Sequence, residues 1–437
     1  MKKFLAIDIG ASSGRHIVGY DDGGELVTRE VYRFENKMDE CDGHLVWDIA
    51  RLLSEVKEGI RRTIREFPDV VSMSIDTWGV DYVLMRGDEE ILPAYAYRDG
   101  RTEVAIDEVH KIISHEELYR RTGIQFMSFN SIYQLYADKL AGRLDGATDF
   151  LMIPEYLMYK LTGRRIKEYT NATTGSIVNA ESGEIDREIF DRLGLPTDLI
   201  APLYMPGELI GGFTDEVRAE VGGNIDVVLC ATHDTASAVE AIEMKENAPY
   251  ISSGTWSLLG VKTDGAITDV ASRASGYSNE GGVGYNRYQI NITGMWIIQS
   301  LRRELCPEKS YAEIEKMAVE SEYKECFNVN DEVFLAPASM SGAIREQIAK
   351  SGRKTPVEIA DYFSAAYVSL AKGYERAICD LERNTGRTYD YIYIVGGGAK
   401  NVYLNELTEA ATGKRVIALP IEATAIGNLR AQMKRFT

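Results

Sequence analysis

Apolar and polar positions along the first eighty residues predict a small sheet and one amphipathic helix. Residues 3–9 form an apolar run, and residues 16–20 form a second extended segment, which the turn sequence of residues 21–24 separates from a third. Apolar residues then recur at helical spacing, with Arg, Lys and Glu between them: Ile49, Leu52, Leu53, Val56, Ile60 and Ile64. A further apolar run covers residues 70–76. The predicted order is therefore strand, strand, strand, helix, strand.

The second half of the chain repeats this rhythm. Residues 250–253 and 256–261 predict two strands joined by a turn of small residues, and residues 276–293 contain further extended segments with glycine breaks. A long helical stripe follows, made of Ile359, Phe363, Ala366, Leu370, Tyr374, Ile378 and Leu381. It leads into predicted strands at residues 391–395 and 415–419, with a glycine run and a helix between them.

Two similar halves predict a duplicated α/β protein with a cleft between its domains. The length of 437 residues allows two or three domains. The polar stretch Glu243–Pro249, which ends in proline, is the predicted boundary, so the domains are expected at residues 1–243 and 244–437. Because clefts between domains are preferred places for ligands, we expect the functional site there.

The net charge and the cysteine content limit which partners and which compartment the sequence predicts. The formal net charge is −18, and a surface that acidic repels phosphate backbones and anionic lipid heads, so neither nucleic acid nor a membrane is an expected partner. ATP stays possible, because local backbone N–H groups and Mg²⁺ override the overall field. The five scattered cysteines contain no CxxC pair, and the N-terminal apolar run is too short for a signal peptide. Both observations predict a cytoplasmic protein.

A segment of small residues follows the first predicted strand. In residues 8–15, Asp-Ile-Gly-Ala-Ser-Ser-Gly-Arg, small side chains allow the backbone to approach a phosphate and to line its oxygens with N–H groups. Asp8, at the end of the strand, suits Mg²⁺ with its water shell. A tight turn bonded by the aspartate explains the same residues equally well. The sequence contains no Walker A motif.

Two further segments of small residues occur in the second half. Residues 252–255 stand at the matching position and predict a second phosphate-binding hairpin, although alone they are typical of an ordinary turn. Residues 394–401 follow a strand and open a helix, which suits the adenosine part of a nucleotide. A packing turn between helix and sheet is the alternative. A dinucleotide site is the weaker interpretation, since Asn401 stands where the Rossmann fingerprint requires glycine.

The sharpest catalytic candidate is Asp234. An apolar strand ending near Cys230 runs into His233-Asp234-Thr235 and then into a stretch that favours helix. A carboxylate at the end of a strand can accept a proton from a substrate hydroxyl as that hydroxyl attacks phosphorus. The competing interpretation is a helix N-cap, for which Asp is a favoured residue and which needs no chemistry.

Polar and aromatic residues cluster in residues 75–81 and 96–101. Flat aromatic faces with directional hydrogen bonds suit a polyol, although Trp78 and Tyr97 as plain core aromatics are the more common outcome. No zinc site is predicted, because metal-ligand spacing is missing from the remaining histidines, which are His16, His44, His110 and His115.

Taken in order, these segments resemble the FGGY family of carbohydrate kinases. The matching stretches cover nearly the whole chain and are far more specific together than singly: AIDIGASSGR, SIDTWGVDYVL, AYRDGRT, RTGIQF, EYTNATT, THDTASAV, SSGTWSL, GMWIIQ and IVGGGAKN. The resemblance implies two actin-like ATPase (ribonuclease-H-like) domains of α/β type with an interdomain cleft. It also implies ATP, Mg²⁺ and a small-molecule sugar, with the 1-hydroxyl of L-rhamnulose as the expected acceptor. A monomer or a homodimer fits equally.

The resemblance also carries roles over to particular positions. It makes Asp234 the expected general base and Asp8 a looser match to an acidic residue near the metal. Positions that match sugar contacts are Gly79, His233, Asp234, Thr235 and Asn291. Positions that match nucleotide contacts are Ala11, Ser12, Ser13, Gly14, Arg15, Thr255, Gln299 and Gly397.

Three other functions compete with this one. The first is a kinase of the same family that acts on another ketose or polyol, such as fuculose or xylulose. The second is an actin-like ATPase that serves as a chaperone or scaffold, which requires a peptide-binding or polymerising region that the sequence does not display. The third is a sugar sensor without catalysis, against which Asp234 and Asp8 argue. Similar proteins usually continue beyond the end at Thr437, so we expect an effect on C-terminal packing and on an oligomeric interface.

Overall fold

The computed structural model describes residues 2–244, 246–335, 337–419 and 422–436. The strands are β1 Lys3–Ile9, β2 Ser13–Asp22, β3 Glu25–Glu35, β4 Met38–Cys41, β5 His44–Trp47, β6 Val70–Thr77, β7 Tyr82–Arg86, β8 Glu89–Ile91, β9 Ala94–Tyr95, β10 Asp149–Met152, β11 Lys167–Glu168, β12 Leu203–Tyr204, β13 Leu209–Gly211, β14 Asp226–Val228, β15 Tyr250–Ser253, β16 Trp256–Thr263, β17 Ser278–Gly281, β18 Asn286–Thr293, β19 Tyr391–Val395 and β20 Arg415–Ala418.

The α-helices alternate with these strands. They are α1 Ile49–Glu66, α2 Glu103–Ile112, α3 His115–Thr122, α4 Ser131–Leu140, α5 Ile153–Thr162, α6 Tyr169–Ala172, α7 Arg187–Leu193, α8 Asp215–Val221, α9 Asp234–Glu240, α10 Val270–Ala274, α11 Trp296–Leu305, α12 Tyr311–Glu320, α13 Met340–Lys350, α14 Ile359–Thr385, α15 Val402–Thr412 and α16 Ala423–Phe436.

Contacts between residues divide the chain into two compact units. The first consists of Met1–Ala241, Thr263–Tyr288 and Thr424–Thr437, and the second of Ile242–Lys262 and Gln289–Ala423. Two segments from the second half of the sequence therefore pack in the first unit. The linear division into residues 1–243 and 244–437 stays a prediction about the functional domains.

A mixed sheet forms the centre of the first unit, in the order β13-β14-β6-β1-β2-β3. Strand β1 pairs in parallel with β6, which pairs in parallel with β14, whereas β2 and β3 continue as an antiparallel meander. Parallel strands in the middle of a sheet are covered on both faces, and β1 is accordingly buried along nearly its whole length. The turn predicted at residues 21–24 joins β2 to β3, and Gly23 there adopts φ +68°, which favours glycine.

Helix α1 covers this sheet with the apolar stripe that the sequence predicts. Asp48 caps its N-terminus, since the Asp48 carboxylate accepts the Arg51 N–H at 2.9 Å. The buried side includes Leu52, Val56 and Ile60. The predicted strands and helix of the first eighty residues are confirmed, but the short strands β4 and β5 between β3 and α1 were not predicted.

The second unit repeats the arrangement. It contributes the strands β18-β16-β15-β19-β20 of a six-stranded sheet, with β15, β19 and β20 parallel and β15 antiparallel to β16. The predicted strands here and the long helix α14 are confirmed, and the apolar stripe of α14 is buried from Phe363 to Leu381. Helices α2 to α7, between residues 103 and 193, were not predicted from the sequence.

A histidine is sealed between β2 and α1. His16 is fully buried, and its Nε2 lies 3.1 Å from the Val56 carbonyl oxygen, to which it donates. Gly59 leaves room for the ring, because a Cβ at that position would stand 2.2 Å from His16 Nε2. Burial lowers the pKa of His16 to about 4. The folded protein therefore holds this ring in the neutral form.

The protonation of His16 predicts acid sensitivity with a defined sign. Above the ordinary pKa of 6.5 the ring is neutral in both states, and as the pH falls towards 4 the unfolded chain takes up the proton first. The free energy of unfolding should therefore fall across this window by up to ~3 kcal/mol. His16→Gln, which keeps an N–H for the Val56 carbonyl, should flatten this part of the curve in urea titrations.

His44→Gln is the matched control. The His44 side chain is 43% exposed and contacts Asp99 rather than α1, so its replacement should leave the loss of stability that comes from His16 in place. Equal slopes for His16→Gln and the parent protein would contradict the assignment of this acid sensitivity to His16.

Candidate active site

Three parallel strands of the first unit end at one edge of the sheet, and the candidate residues lie along that edge. Asp8 in β1 is paired directly opposite Asp76 in β6. Beyond β6, the Thr77 N–H donates to the Thr232 carbonyl oxygen at 2.8 Å, which extends the parallel pairing up to His233. The carboxyl ends of parallel strands are where α/β proteins bind ligands.

Asp8 and Asp76 are two buried carboxyl groups side by side. Burial raises the pKa of Asp8, and the Arg15 guanidinium, whose Nη2 lies 2.5 Å from Asp8 Oδ2, opposes this effect. Burial and the neighbouring Asp8 raise the pKa of Asp76 well above its usual range. Asp76 Oδ2 accepts the Asn428 amide at 2.6 Å, whereas its buried Oδ1 accepts no hydrogen bond from the described residues.

Asp234 is the first residue of α9, and His233 occupies the N-cap position. The Asp234 carboxylate points one oxygen, Oδ1, at Thr235, whose backbone N–H and hydroxyl lie at 2.5 and 3.1 Å. Its side chain is 32% exposed, in contrast to Asp8 and Asp76. A carboxylate in this position has solvent access, so a substrate hydroxyl can reach it.

A second buried carboxylate fixes the segment that leads to Asp234. Glu168 Oε2 accepts the hydroxyls of Thr170 and Thr232, each at 2.7 Å, and the backbone N–H groups of Asn171 and Thr232 at 3.0 and 3.2 Å. Its Oε1 accepts the Thr170 N–H at 2.8 Å. Five donors on one carboxylate hold β11, α6 and the residue before His233 together.

The turn after β6 carries Gly79, a predicted sugar contact. A Cβ at Gly79 would stand 2.8 Å from Thr174 Oγ1, so only glycine fits there. Val80 adopts φ +67°, a costly conformation for a β-branched residue, and its N–H donates to Thr174 Oγ1 at 3.0 Å. The turn is thus held in a strained shape by its surroundings.

Asp81 stabilises the strained turn after β6 by accepting four hydrogen bonds. Its Oδ2 accepts the indole N–H groups of Trp47 and Trp78 at 2.7 and 2.9 Å and the Tyr97 backbone N–H at 3.0 Å, and Oδ1 accepts the Gln134 amide. Burial raises the pKa of Asp81 to about 6. Asp81 therefore links the two predicted clusters, because it accepts hydrogen bonds from Trp78 in residues 75–81 and from Tyr97 in residues 96–101. Trp78 is a core residue, as the less specific interpretation holds, whereas Tyr97 is only half-buried.

The predicted phosphate turn lies between β1 and β2. Ala11 and Ser12 form the turn, the Gly10 N–H donates to the Ser13 carbonyl oxygen at 2.9 Å, and Ser13 begins β2. Packing requires glycine at position 14, because a Cβ there would stand 2.1 Å from the Phe34 ring. The sequence did not predict this contact.

The second unit holds the other predicted nucleotide contacts. Thr255 is exposed in the turn between β15 and β16, and its carbonyl oxygen accepts the Trp296 N–H at 3.2 Å at the start of α11, the helix that carries Gln299. The glycine run crosses this hairpin closely, because a Cβ at Gly398 would stand 1.9 Å from Ser253 Oγ. Gly397 is exposed with open space around it. Asn291 lies in β18.

Two family models match nearly the whole chain. Residues 3–240 match the N-terminal domain of the FGGY family of carbohydrate kinases, and residues 249–435 match its C-terminal domain. The chain belongs to the FGGY family of carbohydrate kinases. This FGGY kinase is therefore an enzyme, a phosphotransferase that uses ATP and a small-molecule sugar.

Curated relatives align over almost the whole length of this FGGY kinase. It is 41% identical to a rhamnulokinase from Oceanobacillus iheyensis over 98% of this chain and 92% of that protein. It is 38% identical to a rhamnulokinase from Bacillus subtilis over 98% of this chain and 90% of that one.

Solved structures show the same fold. The ligand-bound xylulose kinase from Lactobacillus acidophilus superposes with a TM-score of 0.84 at 15% identity, over 100% of this chain and 90% of that chain. The xylulose kinase from Rhodospirillum rubrum gives 0.82 at 15% identity, with the same shares covered. The two-domain α/β fold of actin-like ATPase type is thus confirmed.

Two features are absent from the described part of the FGGY kinase. No described group of three or more His, Cys, Asp or Glu side chains is arranged to hold a metal ion. No helix within the described ranges is long and apolar enough to cross a membrane.

Several residues that build the site were not predicted individually. Asp76 was named only as part of the cluster of residues 75–81, and Glu168, Asn171, Glu280 and Arg287 were assigned no role, although all five are buried and polar. Asp76 had a usable signal, since it ends an apolar strand just as Asp8 does. Glu280 and Arg287 had none, because they lie far along the chain from Asp234.

Removing one donor from Glu168 tests this network. Thr232→Val keeps the shape of the side chain but deletes the 2.7 Å hydrogen bond to Glu168 Oε2. We expect a loss of ~1–3 kcal/mol in the free energy of unfolding and lower turnover in the folded enzyme, because His233 and Asp234 follow directly.

Thr63→Val is the control for this substitution. Thr63 is also fully buried, but its hydroxyl donates to the Gly59 carbonyl oxygen within α1, which already accepts a backbone hydrogen bond. Its replacement should cost less than ~1 kcal/mol and leave turnover unchanged. Equal effects of the two substitutions on stability and turnover would contradict a special role of Glu168.

Proposed function

We propose that this kinase transfers the γ-phosphate of ATP to the 1-hydroxyl of L-rhamnulose, giving L-rhamnulose 1-phosphate and ADP. The name shared by relatives from several genera, at 34–41% identity over at least 98% of this chain, supports the substrate. The observation that supports the chemistry is the Asp234 carboxylate, which is 32% exposed at the edge of the sheet.

In the proposed mechanism Asp234 is the general base. As the sugar oxygen attacks the γ-phosphorus in line with the leaving ADP, the hydroxyl proton passes to the Asp234 carboxylate. His233 and Thr235 contact the sugar together with Gly79 and Asn291. Phosphate oxygens accept hydrogen bonds from the backbone of residues 11–15, and Thr255, Gln299 and Gly397 contact the rest of the nucleotide.

Mg²⁺ fits the carboxyl pair of Asp8 and Asp76. Mg²⁺ usually takes one or two carboxylates and keeps several waters, and the buried Asp76 Oδ1 lacks a donor among the described residues. Bound there with ATP, the ion would neutralise negative charge on the phosphates. Arg15 already pairs with Asp8 Oδ2, so Asp8 has its other oxygen left for the water shell of the ion.

The setting that we propose for the enzyme is cytoplasmic, as a monomer or a homodimer. The scattered cysteines support a reducing compartment. A related ketose, such as fuculose or xylulose, is the alternative substrate, since solved structures with the same fold include xylulose kinases.

A substrate panel tests the assignment to L-rhamnulose. ADP release should give a higher kcat/KM for L-rhamnulose than for fuculose, xylulose or glycerol. A tenfold preference for any of these three would reject the substrate and leave the kinase activity standing.

Asp234→Asn tests the general base. Asparagine can still accept the Thr235 N–H, so stability should change little, but it cannot take the proton. We expect kcat to fall roughly 10²–10⁴-fold while ATP binding is retained. Kinetics and titration with a non-hydrolysable ATP analogue measure both effects.

Asp215→Asn is the matched control for this substitution. Asp215 is likewise the first residue of a short helix, α8, and its side chain is fully exposed. The substitution should change neither kcat nor stability. An Asp234→Asn enzyme as active as Asp215→Asn would end the proposed mechanism.

A further inference from the structure

The buried guanidinium of Arg287 contacts the His233 ring. Arg287 is completely buried, and its Nη2 lies 3.0 Å from His233 Nδ1 and 2.9 Å from Glu280 Oε2. Its Nε donates to the Gly281 carbonyl oxygen at 2.9 Å, which orients the guanidinium plane. Since an uncompensated buried charge is costly, the carboxylate of Glu280 is what makes a buried arginine tolerable here.

The chemistry of arginine decides which nitrogen of His233 carries the proton. A guanidinium has only donors and does not lose its proton, so the nitrogen facing it must accept. Nδ1 of His233 is therefore the acceptor, and the proton of the neutral ring is on Nε2. Glu280 Oε2, 3.3 Å from Nδ1, favours the opposite tautomer, but it is farther away than Arg287 Nη2 and is itself bound by it.

The second ring nitrogen then acts on Asp234. His233 Nε2 lies 3.4 Å from Asp234 Oδ1, the oxygen that also accepts from the N–H and hydroxyl of Thr235. All of these donors converge on Oδ1. None of these three donors contacts Oδ2, so Oδ2 is the oxygen that can meet a substrate hydroxyl.

We propose that Arg287 is a positioning residue that holds His233 in the Nε2–H tautomer, so that Asp234 Oδ1 is held by donors and Oδ2 is the atom that takes the proton. In this step the O–H bond of the sugar breaks and its proton joins Oδ2. The sugar oxygen bonds to the γ-phosphorus, and the bond from that phosphorus to ADP breaks. This inference rests on the proposed function of Asp234, and it names the atom and the device that orients it.

The charged groups around the ring are consistent with this arrangement. His233 faces Asp234 on one side and Glu280 with Arg287 on the other. The backbone N–H of His233, not its ring, donates to the Thr170 hydroxyl oxygen at 3.4 Å, and that hydroxyl donates to Glu168 Oε2. A proton on Nδ1 would face the donor-only guanidinium of Arg287, which opposes the Nδ1–H tautomer.

Nuclear magnetic resonance of histidine-labelled enzyme tests the tautomer. The chain has five histidines, and the His233→Gln variant assigns the signal by its loss. Ring carbon and nitrogen shifts distinguish the Nε2–H form from the Nδ1–H form. We expect Nε2–H in the parent enzyme, because Arg287 Nη2 faces Nδ1. An Nδ1–H ring would overturn the proposal.

The double variant Glu280→Gln/Arg287→Met removes both buried charges together, so that neither is left unpaired. We expect the His233 tautomer to become mixed and kcat to fall roughly 10–100-fold, a size typical for partners that orient a reactive group, with KM for ATP unchanged. Arg287→Lys keeps a donor-only cation and should restore both the Nε2–H signal and much of kcat. An unchanged tautomer in a folded double variant would overturn the role of Arg287.

The outcomes separate the two proposals. If the parent enzyme fails to phosphorylate the sugar panel, the proposed function fails, while the tautomer is still read from the spectra. If the parent enzyme phosphorylates L-rhamnulose and His233 carries its proton on Nδ1, the function stands and the role of Arg287 is wrong.

Discussion

Crowding of buried carboxylates near the ends of β1, β6 and β11 is the constraint on which the first unit depends. Asp8, Asp76 and Glu168 are all buried, and burial raises the pKa of each. Each oxygen that stays charged needs donors, because a buried anion without them would cost several kcal/mol. The surrounding elements are therefore arranged around donors: Arg15 for Asp8, Asn428 for Asp76, and five N–H and O–H groups for Glu168.

Close backbone approaches are the corresponding constraint on the second unit. The glycine run after β19 lies so close to the hairpin of β15 and β16 that a side chain would not fit. A Cβ at Gly396 would stand 2.7 Å from the Ser253 carbonyl oxygen, and Gly396 adopts φ +85°. The same residues leave Gly397 open. Glycine thus serves packing at two positions of the run and leaves one available to a ligand. The packing interpretation and the nucleotide interpretation of this run are compatible.

Patterns within one element were predictable from the sequence, and relations between distant elements were not. The apolar stripes of α1 and α14 predict these helices, and short apolar runs with the turn at residues 21–24 predict β1 to β3. These patterns can be recognised because they involve residues only a few positions apart. Helices α4 and α5 escaped prediction because they are buried nearly all round, which removes the polar face that periodicity needs. Gly14 was interpreted as a phosphate contact or as part of a tight turn, and its packing against Phe34 was not predicted, since nothing local shows it.

The candidate site shows the same limit more sharply. Asp8 and Asp234 stand out because each follows an apolar strand, but the groups that hold them come from elsewhere in the chain. Asn428 reaches Asp76 from α16, and Arg287 reaches His233 from β18. Neither could be found by spacing, because 352 residues separate Asn428 from Asp76 and 54 separate Arg287 from His233.

These long-range partners also explain why the first unit is not one continuous piece of sequence. Residues 263–288 bring Glu280 and Arg287, and α16 brings Asn428 and Gln432, whose amide reaches the Leu5 carbonyl oxygen. A chain that ended near residue 241 would leave Asp76 without its amide donor and His233 without its guanidinium. Because polar groups buried without partners cost more than exposed ones, the same contacts that shape the site also make the folding of this unit dependent on segments far along the chain.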